Sequence, residues 1–419
     1  MATPGSQNRD EVMSPRSSLI ASVAVFGLSL ASLLLLARYL HVAPGSPFAL
    51  EIDVLFSVDG ADRWKELTAA SPPRFSVSHF LLQHLWGRIG AVPARLLEFA
   101  LPADEARFLA ATGMVCVVAA MGFGSLAFCA LRLNHRRWNL LLLFPVCLLF
   151  TSNTILVQPD HFGLSFGLLA IASLALLPGL RDRTRVGLIG VTGFLNAATT
   201  LTNGLFPALA AAVVFRKRLN PAHVWRYRYG ILAAAALGGA IAATAIVPRL
   251  RDLNDTIIVQ ILNLRLLKDP PAAAGFAASG LVYPAVGPVP SIWRSADPNN
   301  PYSHQSYNPS GFDDYAPLSG VAACAWVALL AASSLALIRS PDLRDYRLAL
   351  FGWIVFNLIF HNLWGDEFFL YSAHWSWTLM LIALLGSRAL PTWAVALAVA
   401  LIVPGQLATL STIRDLIFA

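Results

Sequence analysis

Three stretches of the chain set carboxylates beside groups that can share or move a proton. The first is Phe56-Ser57-Val58-Asp59-Gly60-Ala61-Asp62-Arg63-Trp64, where Asp59 precedes a glycine and a tight turn can present its carboxylate. The second is Gln158-Pro159-Asp160-His161, short enough to join two helices. The third runs from Trp364 through Asp366, Glu367, Tyr371 and His374 to Trp377. Read as one helix, it sets Glu367 and His374 two turns apart on a shared face, with Tyr371 between them. Each stretch also has a plainer reading: a solvated Asp-Gly turn, an N-terminal helix cap at Asp160, and an interfacial belt of Trp364, Trp375 and Trp377. The chemistry they would share is proton abstraction by a carboxylate, with imidazole and arginine neighbours to offset negative charge.

What must hold these residues is a membrane. Of 419 residues, 57% are hydrophobic and 13% charged. A soluble chain sits near 45–50% apolar and about 25% charged. Apolar runs approaching the roughly 20 residues that a bilayer crossing needs recur from Ser18 to the end. The composition therefore predicts an all-α polytopic transmembrane bundle: a tail over residues 1–17, then one transmembrane domain over 18–419 with outer loops at 41–104 and 248–318. The first run, Ser18 to Leu40, is too long for a signal-peptide core of about 7–15 residues and is read as a spanning helix. The net charge of +7 resides mainly in short basic gaps, which argues for lipid headgroups as partners and against nucleic acid. Cys116, Cys129, Cys147 and Cys324 lie within apolar runs and read as small buried hydrophobes rather than a disulfide or metal set.

Threading follows from the basic gaps. Arg9 and Arg16 place the N-terminus inside, in the cytoplasm. Val77 to Leu101 carries Phe80, Leu81, Leu85, Ile89, Val92 and Leu96 at helical spacing among charges, and reads as an amphipathic helix in the interface, with a crossing as the alternative. The remaining runs then give about eleven crossings. The groups Arg132–Arg137, Arg181–Arg185, Arg216–Arg218, Arg339–Arg347 and Arg388 all fall inside. Asp59, Asp62, Asp160, His161, Glu367 and His374 fall together at the outer boundary. Thr199, Thr200, Thr202, Asn203, His361 and Asn362 add polarity near helix ends there, mostly as packing hydrogen bonders.

This arrangement resembles the polytopic membrane glycosyltransferases of the GT-C fold, and the Glu367-to-His374 stretch is the most similar to that family. The Asp59 loop running into Ser78-His79-Phe80-Leu81-Leu82, the Pro159-Asp160 turn and the Thr202-Asn203 break add to the likeness. The resemblance implies a bacterial inner (plasma) membrane enzyme that takes a sugar from a lipid-linked, polyprenyl-phosphate donor at the outer face. Asp59 inherits the catalytic base role. Asp62, Arg63, Asp160, His161, Glu367, Tyr371 and His374 become substrate-binding candidates. The first loop departs from the family's adjacent acidic pair, having Asp59-Gly60-Ala61-Asp62, and no soluble outer domain follows. A divalent cation is compatible with these carboxylates, but no spacing specifies one.

Two other classes compete. A transporter calls for ionisable groups near mid-membrane and paired broken helices; a non-catalytic subunit would use its outer loops to grip a partner. Sidedness decides whether a shared outer site exists at all. In a cysteine-free background, cysteines placed at Asp59 and Glu367 should react with an impermeant maleimide from the same side, and one at Arg183 only from the other. Labelling of Asp59 and Glu367 from opposite sides would remove the shared site.

Overall fold

A computed structural model describes residues 13–44, 46, 60–70, 82–216, 269–294, 303–307, 314–363 and 368–417. Among these the chain is mostly helical, with one short hairpin. The helices are α1 (Pro15–Tyr39), α2 (Gly60–Leu67), α3 (Arg88–Leu97), α4 (Ala103–Leu133), α5 (Arg137–Leu148) and α6 (Asn153–Leu156). They continue with α7 (His161–Ala172), α8 (Asp182–Thr199), α9 (Leu205–Phe215), α10 (Pro270–Val282), α11 (Pro317–Ile338) and α12 (Arg344–Leu363). Then come α13 (Phe368–Tyr371), α14 (Ser376–Gly386) and α15 (Thr392–Ile417). The hairpin pairs β1 (Ser291–Arg294) with β2 (Ser303–Ser306) in antiparallel register, Ser291 opposite Ser306.

Four helices, α1, α4, α11 and α15, are long and apolar enough to cross a bilayer. Their outward surfaces carry exposed Leu19, Leu35, Val321, Val327, Trp393 and Leu397, which water would penalise and lipid does not. These helices make the chain an all-α membrane protein. Shorter apolar helices fill the space between them: Arg137–Leu148, His161–Leu176, Leu201–Phe215 and Ser376–Ala389. The described residues do not fix the count of eleven crossings, and the expected run Tyr229 to Val247 lies outside them. Cys116, Cys129 and Cys147 are buried free thiols as expected, whereas Cys324 is exposed, because α11 turns much of its surface outward.

Close helix contact depends on small residues, since lipid gives apolar side chains no reason to leave it for one another. Gly167 of α7 sits against α4 so tightly that an added Cβ would lie 2.1 Å from the Val118 carbonyl oxygen. Gly386 of α14 lies as close to α11, where a Cβ would come 2.1 Å from the Ser333 carbonyl oxygen.

Hydrogen bonds fasten one end of the bundle. Asn134 Nδ2 donates to the carbonyl of Leu384 (2.7 Å), Asn139 Nδ2 to the carbonyls of Ser387 (2.7 Å) and Leu390 (3.0 Å), and Arg132 Nη1 to that of Met13 (2.8 Å). Arg388 makes a two-pronged pair with Asp342, both contacts 2.6 Å. Those two nitrogen-to-oxygen bonds hold the Asp342 carboxyl below its ordinary range, against a smaller opposing effect of burial.

Two local expectations change. The 248–318 segment, read as a hydrophilic outer loop, contains α10, an Ala- and Gly-rich apolar helix with Ala273 and Phe276 buried. Trp326 and Trp375 donate to the carbonyls of Leu281 and Gly280, tying its C-terminal end into the bundle. The run from Phe369 to Leu385, read as one crossing, is not one helix. It breaks into α13, a 3-10 turn over Ser372–His374, and α14.

The glycine contacts set a stability test. Gly167→Val and Gly386→Val should each lower stability by about 1–3 kcal/mol or more through overpacking, read as a fall in apparent melting temperature in detergent. Gly113→Ala, which meets open space within α4, should leave that temperature unchanged or raise it slightly, since alanine favours a helix interior.

Candidate functional site

The turn between α6 and α7 ends on Asp160, whose carboxylate caps α7 by accepting from the His161 backbone N–H at 2.5 Å. The same oxygen accepts from His161 Nδ1 at 2.6 Å. Asp160 is 1% exposed and His161 6%, so the pair is almost fully withdrawn from water. Burial alone would raise the carboxyl pKa. The His161 charge and its hydrogen bond, with the more distant charge of Arg63, outweigh burial and hold Asp160 well below the usual carboxylate range. The Nδ1 bond to the carboxylate fixes the tautomer and orientation of the imidazole.

A second imidazole faces the first. The His374 ring centroid is 6.1 Å from that of His161, and Phe162 meets His374 edge-on at 5.6 Å. Asn203 Nδ2 donates to Ser165 Oγ (2.9 Å), which leaves Oδ1 to accept from His374 Nδ1 at 2.6 Å. The turn over Leu201–Gly204, between α8 and α9, thus orients a ring from a distant part of the chain. His361, near the end of α12, adds a third imidazole 6.2 Å from His374 and stacks on Tyr371 at 4.4 Å.

The helix break at Trp375 explains how His374 reaches this cluster. Trp353 Nε1 (2.8 Å) and Trp377 Nε1 (3.0 Å) both donate to the His374 carbonyl, drawing it out of the ladder that a continuous helix would need. The stretch read as one helix is broken within its described part: His374 sits at the end of a 3-10 turn, outside the α-helical register of Phe368–Tyr371, while Glu367 lies outside the described residues.

The first loop contributes α2, which packs on the turn Leu82–Gly87 before α3. An added Cβ at Gly87 would lie 2.4 Å from the Glu66 carbonyl. Arg63, half-buried, pairs with Glu66 at 2.7 Å, and its charge is felt at Asp160. Trp86 Nε1 donates to Thr199 Oγ1 at 2.8 Å, joining the same segment to the end of α8.

The structure thus brings together Asp160, His161, Tyr371 and His374 and sets Arg63 nearby. Asp59 and Glu367 lie outside the described residues, and Asp62 lies in α2 with its side chain outside them. Asn203 was read from sequence as a packing residue near a helix break and His361 as rim polarity; both belong to the cluster. An Asn in a break between two apolar runs was the available signal for the first. Among the described residues no group of three or more His, Cys, Asp or Glu side chains could hold a metal ion. No family model matches the chain, and neither a curated protein nor a solved structure is similar to it.

Chemically, the cluster is a buried carboxylate–imidazole pair beside further imidazoles, suited to holding an anionic group or relaying a proton. Asp160→Asn keeps the cap and the shape but removes the charge. At neutral pH this should cost about 1–3 kcal/mol, the order expected when a buried hydrogen-bonded group loses its partner. Because the Asp160 pKa is depressed, its stabilisation is complete above the ordinary carboxyl value of about 4 and fades as pH falls through its own lower value. The gap in melting temperature between wild type and variant should thus hold down to about pH 4 and close below it. A gap that stays constant into stronger acid would mean that the charge contributes nothing.

Proposed function

We propose that the chain is a membrane glycosyltransferase of the GT-C type, taking a sugar from a polyprenyl-phosphate donor at the outer face of the membrane. One observation carries the reading. Polar residues from separate stretches, Asp160-His161 and Tyr371-His374, converge at the same end of an apolar bundle, with Arg63 of the first loop close enough to act on Asp160.

In this reaction Asp59 accepts the proton of the acceptor hydroxyl as its oxygen attacks the anomeric carbon. The bond from that carbon to the donor phosphate oxygen breaks, and the lipid phosphate leaves. Arg63 and the Asp160-oriented His161 offset its growing negative charge, while Asn203 fixes the His374 ring toward the same place. Asp62, Glu367 and Tyr371 are the further substrate-binding residues of this reading. α3 supports a lipid-borne donor: Ile89, Val92, Leu96 and the following Phe99 are exposed on one face of the segment, the pattern of a helix lying in the interface. The N-terminus is then cytoplasmic and the membrane a bacterial plasma membrane.

A transporter would need a polar path through the bundle. Below the cluster, α7 instead presents buried Phe166, Leu168, Leu169 and Ala170, which favours a one-sided site.

The test is mass analysis of lipid extracts and envelope glycans from host cells lacking the chain and complemented with wild type, Asp59→Asn or His161→Ala. Wild type should restore one glycan. Asp59→Asn should lower transfer by roughly 10²–10⁴-fold, the size of a lost general base, with the lipid-linked precursor accumulating. Unchanged glycans in cells lacking the chain would refute the proposal.

A further inference from the structure

The opposite end of the bundle holds a separate basic cavity of about 480 Å³. Its lining includes Arg185 at the start of α8, Arg216 after α9, and Asp342, Arg344 and Asp345 around the start of α12. The volume falls within the roughly 300–1,000 Å³ of small-ligand sites.

Charge pairing leaves this cavity with a net positive interior. Asp342 is taken by Arg388, and Asp345 by Arg216 at 2.6 Å. Among the described residues neither Arg185 nor Arg344 has a carboxylate within ion-pair distance. Arg185 donates from Nη2 to the Leu177 carbonyl at 2.8 Å, while its Nε is buried with no hydrogen-bond partner. Half-buried Arg185 and exposed Arg344 thus bring positive charge to the cavity wall that no described carboxylate offsets, and an anion oxygen there would gain charge-assisted hydrogen bonds from them.

The surroundings identify the anion's class. Immediately after Arg185, α8 exposes Val186, Val191 and Phe194. Beyond Arg344, α12 exposes Leu348, Val355 and Ile359. An apolar surface that begins beside a cationic pocket suits a molecule with an anionic head and hydrocarbon chains. Basic pockets between membrane helices hold anionic lipid headgroups by this combination.

We infer that this cavity binds the phosphodiester of an anionic phospholipid, with Arg185 and Arg344 as its principal ligands and the acyl chains lying along α8 and α12. The site is independent of the transfer reaction proposed for the other end.

The test uses the full chain, stripped of lipid in neutral detergent and offered phosphatidylglycerol, phosphatidylcholine or inorganic phosphate. Native mass spectrometry and melting temperature are the readouts. Phosphatidylglycerol should be retained, one per chain, and raise the melting temperature, whereas phosphatidylcholine should do neither. Arg344→Gln, an exposed position at the cavity mouth, should weaken retention about fivefold, the effect of one basic residue on an anionic lipid. Arg185→Gln should weaken it further. Arg136→Gln, exposed on the α4–α5 loop and outside the cavity lining, should leave it intact. Should Arg185→Gln not fold, Arg344→Gln alone decides. Equal retention of the two lipids, wild-type retention in Arg344→Gln, or an equal melting shift with inorganic phosphate would each overturn the lipid assignment.

Discussion

The structure rests on the cost of placing charge in hydrocarbon. Five helical segments run between the same two polar ends. The α7 segment goes from His161 to the Leu177–Gly179 turn, α8 from Arg185 to Thr199, and α9 from Asn203 to Arg216. Arg344 and His361 mark the ends of α12, and His374 and Arg388 flank α14. Counted from His161 to Leu176, the first is roughly 25 Å long, most of a hydrocarbon layer of about 30 Å. Between the ends the side chains are uncharged and mostly apolar, and polar ones such as Thr192, Asn196 and Asn357 bond to carbonyls of their own helices. Charges therefore collect at two levels, and a polar residue's place in the sequence is also its depth in the bundle.

That rule made much of the arrangement legible in advance. The arginine groups mark one level in the linear sequence, and the hydrogen bonds of Arg132, Asn134, Asn139 and Arg388 show those groups meeting at one end. The joining of Asp160-His161 to Tyr371-His374 followed from the same alternation, since both stretches sit half a cycle away from arginine. Helix existence was legible for the same reason: an apolar run of the right length has few alternatives in lipid.

Two features escaped because they depend on contacts between distant residues. The break at Trp375 carries neither proline nor glycine; it forms because the indoles of Trp353 and Trp377 compete for the His374 carbonyl, and Trp353 is remote in sequence. The role of Asn203 likewise depends on Ser165 and His374 both arriving at its amide. The helix α10 was hidden differently, by the Pro-, Asn- and Tyr-rich residues around it, which lowered the apparent hydrophobicity of the whole 248–318 segment.

The two indoles on one carbonyl also separate what His374 is from where it is. The main chain at this position is braced through its carbonyl, whereas the ring is oriented through Nδ1 by Asn203. Which group stands at position 374 and where its backbone lies are therefore set by different residues, the indoles holding the address and Asn203 aiming the reagent.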